Sequence, residues 1–231
     1  MGLSPSSYNY NDVSIISIDG NIGSGKSTLL ERLRTHYADR GDVIFLREPV
    51  SDWETIQDAN HKTMLSKFYE DKQKYAFSFQ MMAYISRLSI LRETIRNRTT
   101  DKPLYIITER SLYTDRHVFA KMLYNDGDIE YVNYQIYLRW FDEFAQDFPL
   151  SHIIYVDTSP ENCYERIHRR AREGEELIPL EYLKNCHNYH NQFTQEINCP
   201  LLTLDGNVNI FVNEKTLEEW LEKIGGLLNH L

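Results

Sequence analysis

Residues 20–27 read Gly20-Asn21-Ile22-Gly23-Ser24-Gly25-Lys26-Ser27, a match to GxxxxGK followed by Ser or Thr. The run Val13–Ile18 in front of it is apolar and rich in β-branched residues. Behind it, Thr28-Leu29-Leu30-Glu31-Arg32-Leu33 carries helical periodicity. Glycines let backbone N–H groups turn inward around oxygens, where a side chain would collide. The helix N-terminus adds the positive end of its dipole, Lys26 is spaced to reach β- and γ-phosphates, and the Ser27 hydroxyl offers a Mg²⁺ ligand. Gly20 through Thr28 is therefore read as a cradle for the phosphates of ATP or GTP.

Working outward, four more short β-branched runs follow: Val43–Leu46, Tyr105–Thr108, Ile153–Val156 and Leu201–Leu204. They alternate with helical stretches. That alternation predicts an α/β fold, a five-stranded parallel sheet flanked by helices through right-handed crossovers. Residues 54–98 read as a long helical insertion between the second and third strands. No repeat or Pro/Gly-rich linker divides the chain, so residues 12–231 are expected to form one domain behind a flexible tail of residues 1–11. Residues 166–178 hold four arginines and three glutamates in thirteen positions. Such a run is either a solvated helix face or a mobile lid that carries cations to a phosphate.

The charge balance narrows the partners. With 34 acidic against 25 basic side chains the net charge is −9, which argues against a general nucleic-acid or anionic-membrane binder. Any phosphate chemistry then rests on a few placed cations. Aromatics at 13% and apolar residues at 42% exclude a disordered chain. The three cysteines, Cys163, Cys186 and Cys199, form no CxxC pair and suit reduced thiols in a cytoplasmic protein. No stretch approaches the ~20 apolar residues that span a bilayer. Met1-Gly2-Leu3-Ser4-Pro5-Ser6 matches the myristoylation pattern MGxxxS, but a polar frayed tail is the preferred reading.

Two carboxylates follow predicted strands, where open α/β sheets place ligands: Glu48 in Glu48-Pro49-Val50 and Glu109 in Glu109-Arg110-Ser111. Either can accept a proton from an attacking hydroxyl or hold Mg²⁺. Arg110 supplies a cation that does not deprotonate. In the insertion, Gln80, Ala83 and Arg87 share one helix face, with Phe79, Met82 and Ser86 beside it. An amide, a small residue and a guanidinium in a row suit a flat polar ring, and Gln can pair bidentately with a base edge. A solvated face is the competing reading.

Taken together, these pieces resemble the deoxynucleoside kinase family, most closely its deoxycytidine and deoxyguanosine kinase branch. The resemblance runs through the P-loop from Asp19 to Thr28, Glu48-Pro49-Val50 with Trp53, Phe79-Gln80 and Ser86-Arg87-Leu88. It continues through Glu109-Arg110-Ser111, Tyr113, Asp115-Arg116 and Phe119, then Arg166 to Arg172, Glu175, and Ile178-Pro179-Leu180-Glu181-Tyr182-Leu183. It implies a P-loop kinase fold with an Arg-rich lid, ATP as donor and Mg²⁺ held through Ser27 and Glu109. Glu48 would be the general base at the 5′-hydroxyl, with Arg110 and Lys26 at the transferred group. Tyr69 and Glu175 would bind the 3′-hydroxyl, Gln80 the base edge, Phe119 the base face, and Trp53 would line the pocket. Arg166, Arg170 and Arg172 would be lid cations, and the chain would be a homodimer.

Within this resemblance, Ala83, Arg87 and Asp115 stand where base choice is set. An Arg–Asp pair implies deoxycytidine or purine deoxynucleosides over thymidine, because Asp115 can accept from an exocyclic amine that thymine lacks. Three alternatives stay open: a thymidine-preferring kinase, a thymidylate-type nucleoside monophosphate kinase, and a nonenzymatic P-loop subunit. The donor-base loop, Asp205-Gly206-Asn207-Val208-Asn209-Ile210-Phe211, is about two residues longer than the family pattern, so its contacts are not carried over. His187 and His190 are read as a satisfied or exposed pair rather than metal ligands. The aromatic run Tyr131, Tyr134, Tyr137, Trp140, Phe141, Phe144 and Phe148 is expected to be mostly core, with part of it facing another subunit.

Overall fold

Five parallel strands carry the architecture: β1 (Val13–Asp19), β2 (Val43–Leu46), β3 (Leu104–Glu109), β4 (Leu150–Asp157) and β5 (Leu201–Asp205). The computed structural model describes residues 12–98, 102–172, 174–210 and 213–229. The expected tail of residues 1–11, with its MGxxxS pattern, and Phe211 of the donor-base loop lie outside the described residues. Every strand read from the sequence is present, with bounds shifted by at most three residues. The spatial order is β2-β3-β1-β4-β5. The chain moves outward on both sides of β1, and such a switch point opens a crevice at the carboxyl ends of the strands. Pairing of Ile18 with Glu109 and of Asp19 with Tyr155 aligns those ends.

Ten helices among the described residues cover the sheet: α1 (Lys26–His36), α2 (Val50–Glu54), α3 (Met64–Glu70), α4 (Lys72–Arg96), α5 (Leu112–Thr114), α6 (Lys121–Asn125), α7 (Tyr131–Phe144), α8 (Pro160–Arg170), α9 (Leu180–Glu196) and α10 (Glu214–Asn229). Strand side chains alternate between the faces, so Ile16 and Ile18 pack with Leu29, Leu33, Trp220 and Ile224, while Ile15 and Ile106 meet Leu88, Leu91 and Phe141. Both faces are covered, which is why the strands read as near-continuous apolar runs. Among the described residues no helix is long and apolar enough to cross a membrane.

The insertion is segmented rather than one helix. The Thr63 hydroxyl caps α3 by accepting from Ser66 N, and the Asp71 carboxylate caps α4 by accepting from Lys74 N. Between α5 and α6 the residues Asp115–Ala120 form a π-helical turn.

The aromatic run is mostly packed inward, with part of it left on the surface. Tyr137, Phe141 and Phe148 are buried, whereas Tyr131 and Trp140 are 66% and 46% exposed. Six aromatics on α7 exceed the single stripe that a helix can bury, so α7 shows a second apolar face to the outside. His190 is a core residue: its Nδ1 donates to the Cys186 carbonyl at 2.8 Å, and burial pushes its pKa down to about 3.

Candidate active site

The strand ends and the first helix converge on a cavity of about 1220 Å³. In the P-loop, a Cβ on Gly20 would approach the Val156 carbonyl to 2.6 Å, and one on Gly23 would approach the Cys163 carbonyl to 2.6 Å. Both glycines also have positive φ, 144° and 78°. The loop's turn therefore depends on glycine at these positions. Asn21 donates from Nδ2 to the Leu183 carbonyl at 2.8 Å, fastening the loop to α9. Lys26 Nζ donates to the Asn21 carbonyl at 2.7 Å, and Arg166 Nη1 to the Ser24 carbonyl at 3.1 Å. Burial, with Arg110 nearby, pushes the Lys26 pKa down to about 8. An anion in the cradle opposes both effects.

Glu48 follows β2 and Glu109 ends the adjacent strand β3, and both line the cavity. Arg110 Nη1 donates to Glu48 Oε1 at 2.6 Å, and Arg87 Nη2 reaches the same oxygen at 3.2 Å. Burial alone would raise the Glu48 pKa. Arg110, Arg87 and Lys26 together outweigh it and hold this carboxyl at about 2, fully ionised at neutral pH. Arg110 has a φ of 61°, a left-handed conformation unusual for a residue with a side chain.

Ser27 Oγ donates to Glu109 Oε1 at 2.7 Å beside the cradle. A hydroxyl and a carboxylate are hard oxygen donors, and Mg²⁺ is commonly bound through one or two such groups plus substrate phosphates. The residues present fit that ion. Among the described residues no cluster of three or more His, Cys, Asp or Glu side chains forms a dedicated metal cage.

On the acceptor side the wall includes Trp53, Tyr69, Gln80, Ala83, Asp115 and Phe119. Phe79 stacks on Phe68 with centroids 4.5 Å apart, and Trp53 meets Phe79 edge-on while its Nε1 donates to Ser86 Oγ at 2.9 Å. Arg110 lies 4.8 Å over the Phe119 ring. Gln80 is buried, and its Oε1 has no hydrogen-bond partner among the described residues. An unpaired amide oxygen on a cavity wall is costly, and an amine placed there would satisfy it.

Arg87 differs from its expected place. It does not line the cavity but stands behind Asp115 and Glu48. Its Nε donates to Asp115 Oδ2 at 2.9 Å and its Nη1 to the Glu109 carbonyl at 2.6 Å. Asp115 is thus the member of the pair that lines the cavity, with Arg87 bonded to both carboxylates.

In the Arg-rich segment, Arg166 and Arg170 belong to the last turns of α8, and a short 3₁₀ turn covers Glu175–Leu177. Arg170 and Arg172 both donate to the buried Glu175, the latter at 3.1 Å. Arg166, Arg170, Arg172 and Glu175 all line the cavity. Arg169, which the sequence places in the Arg-rich run without a role of its own, also lines it, as do Arg47 and Asn162, which the sequence does not single out. Arg169 and Asn162 share the α8 face of Arg166 at helical spacing, a signal that was available. Arg47, immediately before Glu48, is paired with Glu31 at 2.6 Å.

Known proteins give the same assignment. The deoxynucleoside kinase family model matches residues 16–229. Deoxycytidine kinase 2 of Gallus gallus is 34% identical over 234 residues, 89% of this chain and 86% of that protein. Mitochondrial deoxyguanosine kinase of Xenopus laevis is 31% identical over 82% of this chain and 80% of its own length. Mitochondrial thymidine kinase 2 of Macaca fascicularis is 34% identical over 78% of this chain and 64% of its own length. With a P-loop under a two-sided cavity and a family match over nearly its whole length, the chain belongs to the deoxynucleoside kinase family.

Proposed function

We propose that this kinase transfers the γ-phosphate of ATP to the 5′-hydroxyl of deoxycytidine or a purine deoxynucleoside in preference to thymidine. The observation that carries the base preference is Asp115, a buried carboxylate on the acceptor wall held by Arg87. Gln80 by itself does not discriminate, because an amide presents both donor and acceptor to cytosine or thymine. Asp115 favours a base with an exocyclic amine. Facing thymine, which carries a carbonyl oxygen in place of that amine, the carboxylate meets no donor for the acceptor capacity that Arg87 leaves over, and a buried acceptor short of a partner costs about 1–3 kcal/mol. Similarity to a mitochondrial thymidine kinase favours the opposite preference. Steady-state kinetics on the four deoxynucleosides with ATP decide between them, and best efficiency with thymidine would end the proposal.

In this reading Glu48 orients the 5′-hydroxyl and takes its proton. A carboxyl held near pKa 2 is a weak base. That suffices in a loose transition state, where proton transfer is late and charge sits on the equatorial oxygens. Lys26, Arg110, Arg166, Arg170 and Arg172 offset that charge. Mg²⁺, held by Ser27 and Glu109, supplies neutralisation of the donor phosphates when bound. Tyr69 and Glu175, which line the same cavity, hydrogen-bond the deoxyribose 3′-hydroxyl.

The exposed face of α7, with Val132 58% and Ile136 41% exposed beside Tyr131 and Trp140, together with Ile85 of α4 at 51%, supports a homodimer. Light scattering giving a monomer at micromolar concentration would refute it. Free thiols at Cys163, Cys186 and Cys199 support a cytoplasmic location.

A further inference from the structure

Beneath the site, a buried carboxylate that adjoins the cradle at Gly20 without lining the cavity is tied to the one strained residue of the catalytic set. Asp19 is the last residue of β1 and is fully buried. It accepts Ser17 Oγ on Oδ2 at 2.8 Å, and Thr114 Oγ1 on Oδ1. A carboxylate has no proton to give, so the Thr114 hydroxyl proton points at Asp19. That leaves Thr114 Oγ1 free to accept from Ser111 N at 3.2 Å and from the Ser111 hydroxyl at 2.9 Å. Ser111 Oγ in turn accepts from Thr114 N at 3.1 Å. Burial raises the Asp19 pKa, while the Thr114 and Ser17 hydroxyls that it accepts from and the nearby Arg110 and Lys26 oppose that rise; the accepting carboxyl anchors a chain of hydroxyls that closes the first turn after Arg110.

Arg110 needs such closure. A left-handed conformation costs a side-chain-bearing residue about 1–2 kcal/mol and persists only when its surroundings over-determine it. On one side Arg110 N donates to the Ile18 carbonyl at 3.0 Å, next to Asp19. On the other side stands the Ser111–Thr114 turn. Without that turn the backbone can relax to negative φ, and the guanidinium swings from Glu48.

We propose that Asp19 is a positioning residue that, through Thr114 and Ser111, holds Arg110 in its left-handed conformation and so aims its guanidinium at Glu48 and the transferred group. This rests on the role of Arg110 in the proposed function, and the experiment separates the two. Asp19→Asn, Thr114→Val, Arg110→Gln and Asp19→Asn in the Arg110→Gln background are compared by kcat and nucleoside KM. Misplacement of a catalytic group by about 1 Å costs roughly 10²-fold. Asp19→Asn and Thr114→Val should each lower kcat by about that factor with nucleoside KM unchanged within about threefold, a split that general loss of structure would not give. With no guanidinium left to aim, Asp19→Asn should cost less than about twofold on top of Arg110→Gln.

An equal loss on both backgrounds would overturn the proposal, as would normal kcat in Asp19→Asn or Thr114→Val. Should Asp19→Asn not fold, Thr114→Val on the same two backgrounds carries the comparison. Full activity of Arg110→Gln would overturn the catalytic reading of Arg110 and this proposal with it. A slow Arg110→Gln beside a normal Asp19→Asn would overturn this proposal alone.

Discussion

Replacing Arg87 by Met tests the centre of the site. The Arg87 side chain is 3% exposed and serves three acceptors: Asp115, Glu48 and the Glu109 carbonyl. Methionine keeps the apolar stem and removes the guanidinium. Glu48 retains Arg110, so the loss falls chiefly on Asp115, itself 4% exposed, and on that carbonyl. Breaking a buried pair by removing one partner costs about 3–5 kcal/mol. At about 2–4 °C per kcal/mol for a chain of this size, Tm should fall by about 6–20 °C. Burial already raises the Asp115 pKa, and Arg87 is the largest influence opposing it, so the variant should raise it further. A carboxyl whose folded pKa lies above its unfolded value binds more protons in the folded state, so Arg87→Met should recover stability as pH falls below neutral.

Adding Asp115→Ala removes the orphaned charge, and the double variant should be more stable than Arg87→Met alone, with a coupling of about 2 kcal/mol. Unfolding of all four proteins by denaturant measures that coupling, and kinetics on deoxycytidine and thymidine run beside it. The thymidine-to-deoxycytidine ratio of kcat/KM should rise in the double variant. Destabilisation additive within about 0.5 kcal/mol would refute the pairing, and an unchanged ratio would remove the pair from base choice.

Two further outcomes are expected. Glu48→Gln keeps the shape but cannot take the proton, so kcat should drop by about 10²-fold or more while nucleoside binding persists; near-normal turnover removes Glu48 from the base role. Lys26, held at about pKa 8 in the free protein, should regain its proton when a triphosphate enters the cradle. Its charge is lost as pH rises through that value, so affinity for ATP should weaken above about pH 8 with proton uptake on binding. Calorimetry in buffers of different ionisation enthalpy reads that uptake, and its absence would place the Lys26 pKa elsewhere.

Much of this was legible from local chemistry. Gly20, Gly23 and Lys26 announce a cradle because a backbone that approaches an anion needs glycine and a cation, and β-branched runs announce strands because only extended backbone accommodates them well. The sheet, the cradle and the positions of Glu48 and Glu109 at neighbouring strand ends follow from these local rules and from crossover handedness. What sequence does not encode locally is which partner a charged side chain meets. Arg87 on a helix face looks like a base contact, yet its guanidinium is spent behind the wall on Asp115, Glu48 and a carbonyl. The π-helical turn at Asp115–Ala120 has no short-range signature, and it presents both Asp115 and Phe119 to the cavity. Asp19 and Thr114 lie 95 positions apart, and only the packing of β1 against β3 joins them. Backbone conformation is chosen by neighbours along the chain, whereas buried charges are matched by neighbours in space, and those exist only once the chain has folded.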